Sequence, residues 1–207
     1  KVLGGSSSIN AMAYIRGHRR DYDEWAALGN AGWSFDEVLP YFKRSEDNRR
    51  IKNEMHGQGG PLVVSDLQTD NPFQSHYLEA ARQVGYPISD DFNGVEQEGV
   101  GLYQVTQENG ERWSAYRGYI KPHLDTRPNL QVETDALTQR ILFEGKRAVG
   151  VEYRQRGRVF TVKANKEVIL SAGAFQSPQL LMLSGIGDSG ELQKHGIPVL
   201  HHLPGVG

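Results

Sequence analysis

The sequence of 207 residues contains no cysteine. This absence excludes disulfide bonds, thiolate metal ligands, iron–sulfur clusters and cysteine nucleophiles. Any redox chemistry must therefore use an organic cofactor. The seven histidines form neither an HExxH pattern nor a cluster with acidic residues at ligand spacing, so we expect no bound metal.

The sequence also lacks an excess of positive charge. Its 23 lysine and arginine residues stand against 25 aspartate and glutamate residues, which gives a formal net charge of −2. We expect no nucleic-acid partner, because little cationic charge is left over to neutralise phosphates. The basic cluster at 16–20, which includes Arg16, is interpreted as a solvated surface because acidic residues follow directly at 21–24.

No apolar run is long enough to cross a bilayer, and the beginning of the chain lacks the pattern of a targeting peptide. We therefore expect a cytoplasmic protein without a transmembrane segment, and we leave membrane association of the complete enzyme open. The sequence has no initiating methionine, and both of its ends fall inside apparent motifs. We expect it to be an internal piece of a longer protein, with N-terminal and C-terminal parts missing.

Capping residues, turn signals and periodicity predict a mixed chain of helices and strands. Asn109-Gly110 predicts the tight turn of a β-hairpin. Further strands are predicted at 61–65 and, from residue 130 onward, at 130–133, 140–143, 148–153 and 159–162, where they form an antiparallel meander. The predicted helices begin at Asp21, at Ser34 with its capping-box partner Glu37, at Asn71-Pro72, at Ser114 and at Ser177-Pro178.

The apolar run Glu167–Leu170 is typical of a strand buried on both faces of a parallel sheet. A glycine turn and a capped helix follow it, the general arrangement that sets a helix N-terminus against a bound dinucleotide. Small residues between a strand and a helix are, however, often there only for close packing. This second interpretation stays open for the segment taken alone.

A second glycine-serine segment, Leu3–Asn10, lies near the start of the chain. Consecutive glycines lack the Cβ that would keep a ligand away from the main chain, and serines offer hydroxyl and N–H groups to a phosphate or a polar ring edge. Together the two segments predict a nucleotide cofactor.

The sequence of both segments resembles motifs of the glucose–methanol–choline (GMC) family of FAD-dependent oxidoreductases, in its branch of bacterial choline and alcohol dehydrogenases. The two main matches are 2–10 and 173–187, in the order and at the separation of the family. Supporting matches are Tyr14–Gly17, Asp23–Trp25, Gly32–Ser34, His56-Gly57 through Gly60-Pro61, Gly110–Arg112 and Leu203–Gly207.

The resemblance implies an α/β (α+β) fold: a fragment of an FAD/NAD(P)-binding domain with an antiparallel β-meander, plus part of an α+β substrate-binding domain. The implied domains are 1–16 as the flavin-contacting loop of the FAD domain, 17–60 as a helical lid or intermediate region, 61–128 as part of the substrate-binding domain, and 129–207 as the β-meander and nucleotide-binding strand, loop and helix of the FAD domain.

The resemblance also implies FAD as the cofactor. Some family members attach FAD covalently through a histidine at the position of Ile9, so isoleucine there predicts non-covalent FAD. For Leu137, an ordinary core leucine remains an alternative. The implied cofactor-binding residues are Val2, Gly4, Gly5, Ser6, Ser7, Asn10, Ala11, Met12, Ala13, Leu137, Ala172 and Gly173.

The implied reaction is oxidation of a primary alcohol, choline or another, to the aldehyde by hydride transfer to flavin N5. No catalytic residue is assigned within this chain: the family's histidine base would lie beyond its C-terminus, its GxGxxG would precede the chain, and the fragment alone is expected to be inactive. His195, His201 and His202 are interpreted as surface or strand residues.

Other interpretations stay open on the sequence. The chain could be a stand-alone nucleotide- or ligand-binding module without redox activity, or a structural fragment that folds by docking on missing parts. The electron acceptor is unknown. The aromatic residues Trp25, Trp33, Tyr103 and Trp113 fit either a quaternary-ammonium cage or an ordinary core.

Overall fold

The computed structural model describes residues 2–69 and 71–207. The chain divides into two compact units, Lys1–Gln131 and Val132–Gly207. Within the described residues, helices are too short or too polar to cross a membrane.

The first unit combines helices with short strands. Its α-helices are α1 (Arg19–Ala27), α2 (Phe35–Ser45) and α3 (Phe73–Gln83). Its strands are β1 (Glu46–Asn48), β2 (Leu62–Asp66), β3 (Gln104–Val105), β4 (Gln107–Glu108) and β5 (Glu111–Arg112). Turns of 3-10 helix cover Gly5–Ser8 and Lys121–His123, and a π-helical turn covers Tyr116–Ile120.

Capping boxes start the first two helices. The backbone N–H of His18 donates to Asp21 at 2.7 Å, and that of Ser34 donates to Glu37 at 3.1 Å. Each bond satisfies an N–H group that has no partner inside its helix. The predicted box at Ser34 is confirmed, whereas α1 begins two residues earlier than expected because His18 is its cap.

A small aromatic core joins α1 to α2. The ring of Tyr22 lies 6.0 Å from that of Phe35 and 5.7 Å from that of Phe42, with Met55 buried beside them. The hydroxyl of Tyr22 accepts a bond of 3.0 Å from the backbone N–H of Gly17. Its ring therefore packs while its polar end is satisfied.

A three-stranded sheet has the order β1-β2-β3, with β1 parallel and β3 antiparallel to β2. The chain at 12–14 runs along β3: the N–H of Thr106 donates to the carbonyl of Met12 at 2.9 Å, and that of Tyr14 donates to Gln104 at 2.8 Å. This pairing fixes on the sheet the chain that follows the N-terminal glycine-serine segment.

The hairpin at Asn109-Gly110 is confirmed, and it joins β4 to β5. Both turn residues have positive φ, 51° and 79°, as a type I′ turn requires. Two further helix starts in the first unit differ from the prediction. Phe73, not Pro72, is the first residue of α3, and Ser114 is followed by a π-helical turn rather than a regular α-helix.

The second unit contains the last three strands of the predicted meander. Its strands β6 (Leu137–Glu144), β7 (Arg147–Gln155) and β8 (Arg158–Lys163) pair antiparallel in that order. The helix α4 (Gln176–Leu183) packs on β6, where the hydroxyl of Ser184 accepts a bond of 2.8 Å from the N–H of Ile141. The remaining elements are β9 (Ile186–Gly187), α5 (Ser189–Lys194) and β10 (His201–His202), with β10 parallel to β9.

Two predicted strands are wrong. Residues 130–133 and Glu167–Leu170 are irregular, and no described strand pairs with either segment. A strand needs a neighbour for its backbone hydrogen bonds, and apolar character alone does not provide one. Ile169, expected to be buried on both sides, is 78% exposed.

The start of α4 also differs. Phe175 is its N-cap residue, and Ser177 lies inside its first turn. The hydroxyl of Ser177 instead accepts a bond of 3.0 Å from the N–H of Ala172. Ser177 therefore fixes the preceding glycine turn rather than capping the helix.

Candidate functional site

The N-terminal turn is built on two glycines with left-handed backbones. Gly4 has a φ of +89° and Gly5 a φ of +57°, values that L side chains rarely adopt. A Cβ on Gly5 would meet nothing within 4 Å, whereas one on Gly4 would collide with the hydroxyl of Ser8. The main chain at Gly5 is therefore open to a ligand.

The serine hydroxyls of this turn serve partly to hold its shape. Ser7 Oγ donates to the carbonyl of Gly4 at 2.5 Å, and Ser8 Oγ donates to Leu3 at 2.7 Å. Ser6 is exposed, and in the described part of the chain its hydroxyl has no hydrogen-bond partner. Of the predicted ligand hydroxyls, that of Ser6 is thus available, while that of Ser7 is already engaged.

Asn10 and Met12 form a second tight turn. The side-chain oxygen of Asn10 accepts a bond of 3.0 Å from the N–H of Met12, whose φ is +63°. The side chains of Asn10, Ala11 and Ala13 are exposed, and Ile9 is 79% exposed. The predicted flavin-side residues thus form an open surface of small side chains and main chain.

Residues far along the sequence hold this turn. Arg112 Nη1 donates to the carbonyl of Ser7 at 3.1 Å and to Asn10 Oδ1 at 2.9 Å. The N–H of Ala115 donates to Ser7 Oγ at 2.9 Å. The site residues therefore depend on β5 and the residues directly after it, a role that the sequence did not indicate beyond the family-like motif at 110–112.

Val2, in the first unit, is 56% exposed. The three other predicted cofactor residues, Leu137, Ala172 and Gly173, lie in the second unit. Gly173 has a φ of +95°, and a Cβ there would meet nothing within 4 Å. Phe175 beside it is 92% exposed. Leu137, the first residue of β6, is 53% exposed, which disagrees with the alternative of a core leucine. The cofactor roles of the residues in both units stay predictions.

A buried ionic cluster lies in the first unit, with Glu46 at its centre. One carboxylate oxygen accepts bonds from Arg16 Nη2 at 2.6 Å and from the N–H of Gly57 at 3.0 Å. The other lies 2.8 Å from His56 Nδ1 and accepts a bond of 2.9 Å from Asn48. The side chain of Glu46 is fully buried.

Opposing effects act on the two titratable groups of this cluster. Burial on its own would raise the pKa of Glu46, but hydrogen bonds from His56, Asn48 and Gly57 and the charge of Arg16 lower it. Burial would lower the pKa of His56, but its bonds to Glu46 and Asp91 raise it. The geometry therefore favours a carboxylate facing an imidazolium.

The position of Arg16 corrects the interpretation of the basic cluster as solvated. Arg16 is only 7% exposed, and its second guanidinium nitrogen donates to the carbonyl of Met55 at 2.7 Å. Its own N–H donates to Asn93 at 2.7 Å. The guanidinium of Arg16 pairs with Glu46, which lies 30 residues away in sequence, and not with the acidic residues at 21–24.

His195, His201 and His202 are exposed, in agreement with their interpretation as surface or strand residues. In residues 2–69 and 71–207, no group of histidine and acidic side chains has the arrangement of a metal site.

The four aromatic residues considered for a quaternary-ammonium cage lie in separate contacts. Trp25 packs edge-on against Trp33 with 5.7 Å between ring centroids, and Tyr103 packs against Phe92. The guanidinium of Arg117 lies over the ring of Trp113, 4.4 Å from its centroid, in a cation–π contact. No ring contact joins the two tryptophans of the pair to Tyr103 or Trp113 among the described residues.

Known proteins are similar to this chain in sequence along its whole length. The human protein "Choline dehydrogenase, mitochondrial" is 50% identical over 207 residues, which are all of this chain and 35% of the relative. "Oxygen-dependent choline dehydrogenase" of Brucella anthropi is 49% identical over 208 residues, 100% of this chain and 37% of the relative. The chain thus spans about a third of the length of these relatives.

Solved structures of oxidoreductases superpose on this chain over nearly its whole length. An FAD-dependent oxidoreductase from Chaetomium thermophilum superposes with a TM-score of 0.93 and 36% identity, over 100% of this chain and 38% of the other. Pyridoxine 4-oxidase from Mesorbium loti has a TM-score of 0.89 and 32% identity, over 96% of this chain and 39% of the other. The sequence model of the GMC oxidoreductases matches residues 1–207, so the chain belongs to the GMC oxidoreductase family.

Proposed function

We propose that this chain forms part of the FAD site of a flavoprotein that oxidises a primary alcohol, choline or another, to the aldehyde. Identity of about half of the residues along the whole chain with two proteins named choline dehydrogenases supports this proposal. The observation that carries it is the exposed turn at 4–13, whose main chain is open to a ligand and fixed by Arg112.

The chain's residues fit a flavin dinucleotide. At Gly5 and Gly173 the left-handed backbone leaves the space of the missing side chain empty, so a flat or charged group can approach the main chain. Exposed N–H groups next to such glycines can bind phosphate oxygens or the polar edge of a ring. The residues proposed to hold FAD are Val2, Gly4, Gly5, Ser6, Ser7, Asn10, Ala11, Met12 and Ala13, with Leu137, Ala172 and Gly173.

The proposed FAD is bound without a covalent link. Ile9 is exposed at the position where the resemblance places a histidine in members with covalent FAD, and its side chain has no nucleophilic atom.

When bound, FAD supplies a flavin N5 that accepts hydride from the alcohol carbon. The residues of this chain bind and orient: the turn at 4–8 presents main chain, and Arg112 keeps Asn10 in place. We assign no proton acceptor here, because His195, His201 and His202 lie exposed and apart from the turn in sequence. The base is proposed to lie in another part of the complete protein, the natural protein that contains this chain.

A cytoplasmic location, with or without membrane association of the complete protein, stays a prediction; the human relative carries "mitochondrial" in its name. Family membership favours the oxidoreductase over a stand-alone nucleotide-binding module.

The test compares this chain with the complete protein. Each is incubated with choline or another primary alcohol and a dye acceptor, and dye reduction and aldehyde are measured. We expect turnover by the complete protein and none by the chain alone. Turnover by the chain alone would contradict the assignment of the base to another part, and a complete protein that oxidises no alcohol would contradict the proposed reaction.

A further inference from the structure

Arg112 combines two properties that set it apart from the other arginines. It is partly buried, and within the described residues it makes no ion pair. The other arginines without an ion pair in that part of the chain are all exposed, namely Arg20, Arg44, Arg127, Arg147, Arg154, Arg156 and Arg158. A partly buried positive charge without a carboxylate is costly, and such charges usually have a partner.

The acidic residues of the same hairpin are engaged elsewhere. Glu111 pairs with Arg117 at 2.7 Å, and Glu108 pairs with Arg49. Arg112 instead directs Nη1 to two neutral oxygens, the carbonyl of Ser7 and the side chain of Asn10. Its charge is therefore shared with the turn but not neutralised by it.

The segment that carries Arg112 is firmly attached. Trp113 donates from its backbone N–H to Thr106 at 2.8 Å and from its indole to the carbonyl of Pro61 at 2.8 Å. Arg117 bonds to the carbonyl of Arg112 at 3.3 Å. The backbone that carries Arg112 is thus held in place while its side chain binds the turn.

Long-range hydrogen bonds to residues 4–10 come from this segment alone among the described residues, through Arg112 and the N–H of Ala115. Asn10 in turn holds the N–H of Met12, whose backbone is left-handed. Loss of Arg112 would therefore loosen both halves of the turn.

We propose that Arg112 is a positioning residue of the flavin site, which fixes the turn at 4–12 through Ser7 and Asn10 and supplies it with an uncompensated positive charge. This inference rests on the proposed function. A fixed cation near a flavin favours the reduced, anionic form, since preorganised charge stabilises charge that develops during a reaction. Arg112 should accordingly affect the reduction potential as well as the affinity for FAD.

The experiment uses the complete protein loaded with FAD and the variants Arg112→Met, Arg112→Lys and Arg140→Met. Arg140 is the matched control, because it pairs with Glu152 on the exposed surface of the second unit. For each protein, the FAD dissociation constant is measured by fluorescence and the flavin reduction potential by titration against reference dyes. Circular dichroism checks folding.

We expect Arg112→Met to weaken FAD binding by about tenfold, as loss of a charged hydrogen bond implies, and to make the potential more negative. Arg112→Lys keeps the charge, so its potential should stay close to wild type even though its affinity falls. Arg140→Met should change neither quantity.

Three results would overturn the inference. Wild-type affinity and potential in Arg112→Met would show that Arg112 does not position the site. If the flavin reduction potentials of Arg112→Met and Arg112→Lys are equal and both below that of wild type, the charge of Arg112 does not set the potential. A folded wild-type protein that takes up no FAD would overturn the proposed function itself, and is thereby distinguished from the first two results.

Discussion

The imidazole of His56 lies between two carboxylates, with Nδ1 2.8 Å from Oε1 of Glu46 and Nε2 3.0 Å from Oδ2 of Asp91. Both ring nitrogens can donate at once only in the protonated form. The same Glu46 binds Arg16, which follows the N-terminal turn in sequence. This cluster links the strand β1, the loop at 56–57 and the chain that leaves the proposed flavin site.

Replacement of Glu46 by glutamine should strongly destabilise the protein. The variant keeps the size of the side chain but leaves Arg16 and His56 buried without their shared carboxylate. Loss of one partner from a buried pair costs about 3–5 kcal/mol of unfolding free energy. Urea unfolding followed by circular dichroism measures the loss. Glu191→Gln, at an exposed pair with Lys194, is the control and should leave the midpoint unchanged. Equal midpoints for wild type and Glu46→Gln would contradict the structure of the cluster.

The stability contributed by His56 should decrease as the pH rises above about 6.5, which is the ordinary pKa of a histidine side chain. Burial opposes the charged ring, but bonds to Glu46 and Asp91 raise the pKa of His56 overall. A raised folded-state pKa gives a contribution that is complete below the unfolded pKa and is lost as the pH passes through the folded one.

For Glu46 the sign is the opposite. Because its pKa is lowered in the folded state, Glu46 contributes stability that is present above about pH 4.5 and is lost as the pH falls further. The pair should therefore stabilise most between about pH 4.5 and 6.5.

Unfolding free energies of wild type and His56→Gln from pH 5.5 to 8.5 measure this effect. The difference between the two proteins should narrow toward pH 8.5. His195→Gln, at an exposed position, is the control and should run parallel to wild type. A constant difference between wild type and His56→Gln would mean that His56 does not titrate in this range.

Removal of the hydroxyl of Tyr14 should leave the protein as stable or stabilise it by about 1 kcal/mol, because a buried polar group without a partner costs free energy. In the described residues neither this hydroxyl nor Arg16 Nε has a hydrogen-bond partner. Burial and the charge of Glu46 raise the pKa of Tyr14 to about 12, and the charge of Arg16 opposes them only in part.

Tyr22→Phe is the matched control for Tyr14→Phe. The Tyr22 hydroxyl accepts a bond of 3.0 Å from Gly17, so its removal should destabilise by about 1 kcal/mol. Thermal unfolding of the two variants compares them. Destabilisation by Tyr14→Phe would contradict a buried hydroxyl without a partner.

Acid precipitation should release all of the flavin from the complete protein. Ile9 offers no atom for a covalent bond, so the flavin should appear in the supernatant as intact FAD. Absorbance of the supernatant and of the redissolved pellet measures the two fractions. Flavin that stays in the pellet would indicate attachment through a residue other than Ile9.

Local signals in the sequence predicted local structure well. The capping box of Ser34 and Glu37, the turn at Asn109-Gly110 and the meander of β6, β7 and β8 were all predictable, because each depends on residues close in sequence. The segment 167–170 was not, because a strand is defined by its neighbour and apolar character does not say whether one is present.

The open glycine turn was predictable for a similar reason, since adjacent glycines set its backbone. The residues that hold the turn were not predictable, and neither was the cluster around Glu46. Arg112 reaches Asn10 across 102 residues, and Arg16 reaches Glu46 across 30. Charge patterning between neighbours therefore misjudged Arg16, whose partner is brought to it only by the fold.

The FAD content of the complete protein and of its Gly5→Val variant tests the central claim most directly. Gly29→Val is the matched control, since Gly29 also has a left-handed backbone and open space but lies outside the proposed site. After purification with FAD, the wild type and Gly29→Val should retain stoichiometric FAD, and a folded Gly5→Val should lose most of it. Equal retention by Gly5→Val and wild type, or no FAD in a folded wild type, would contradict a flavin bound against this turn.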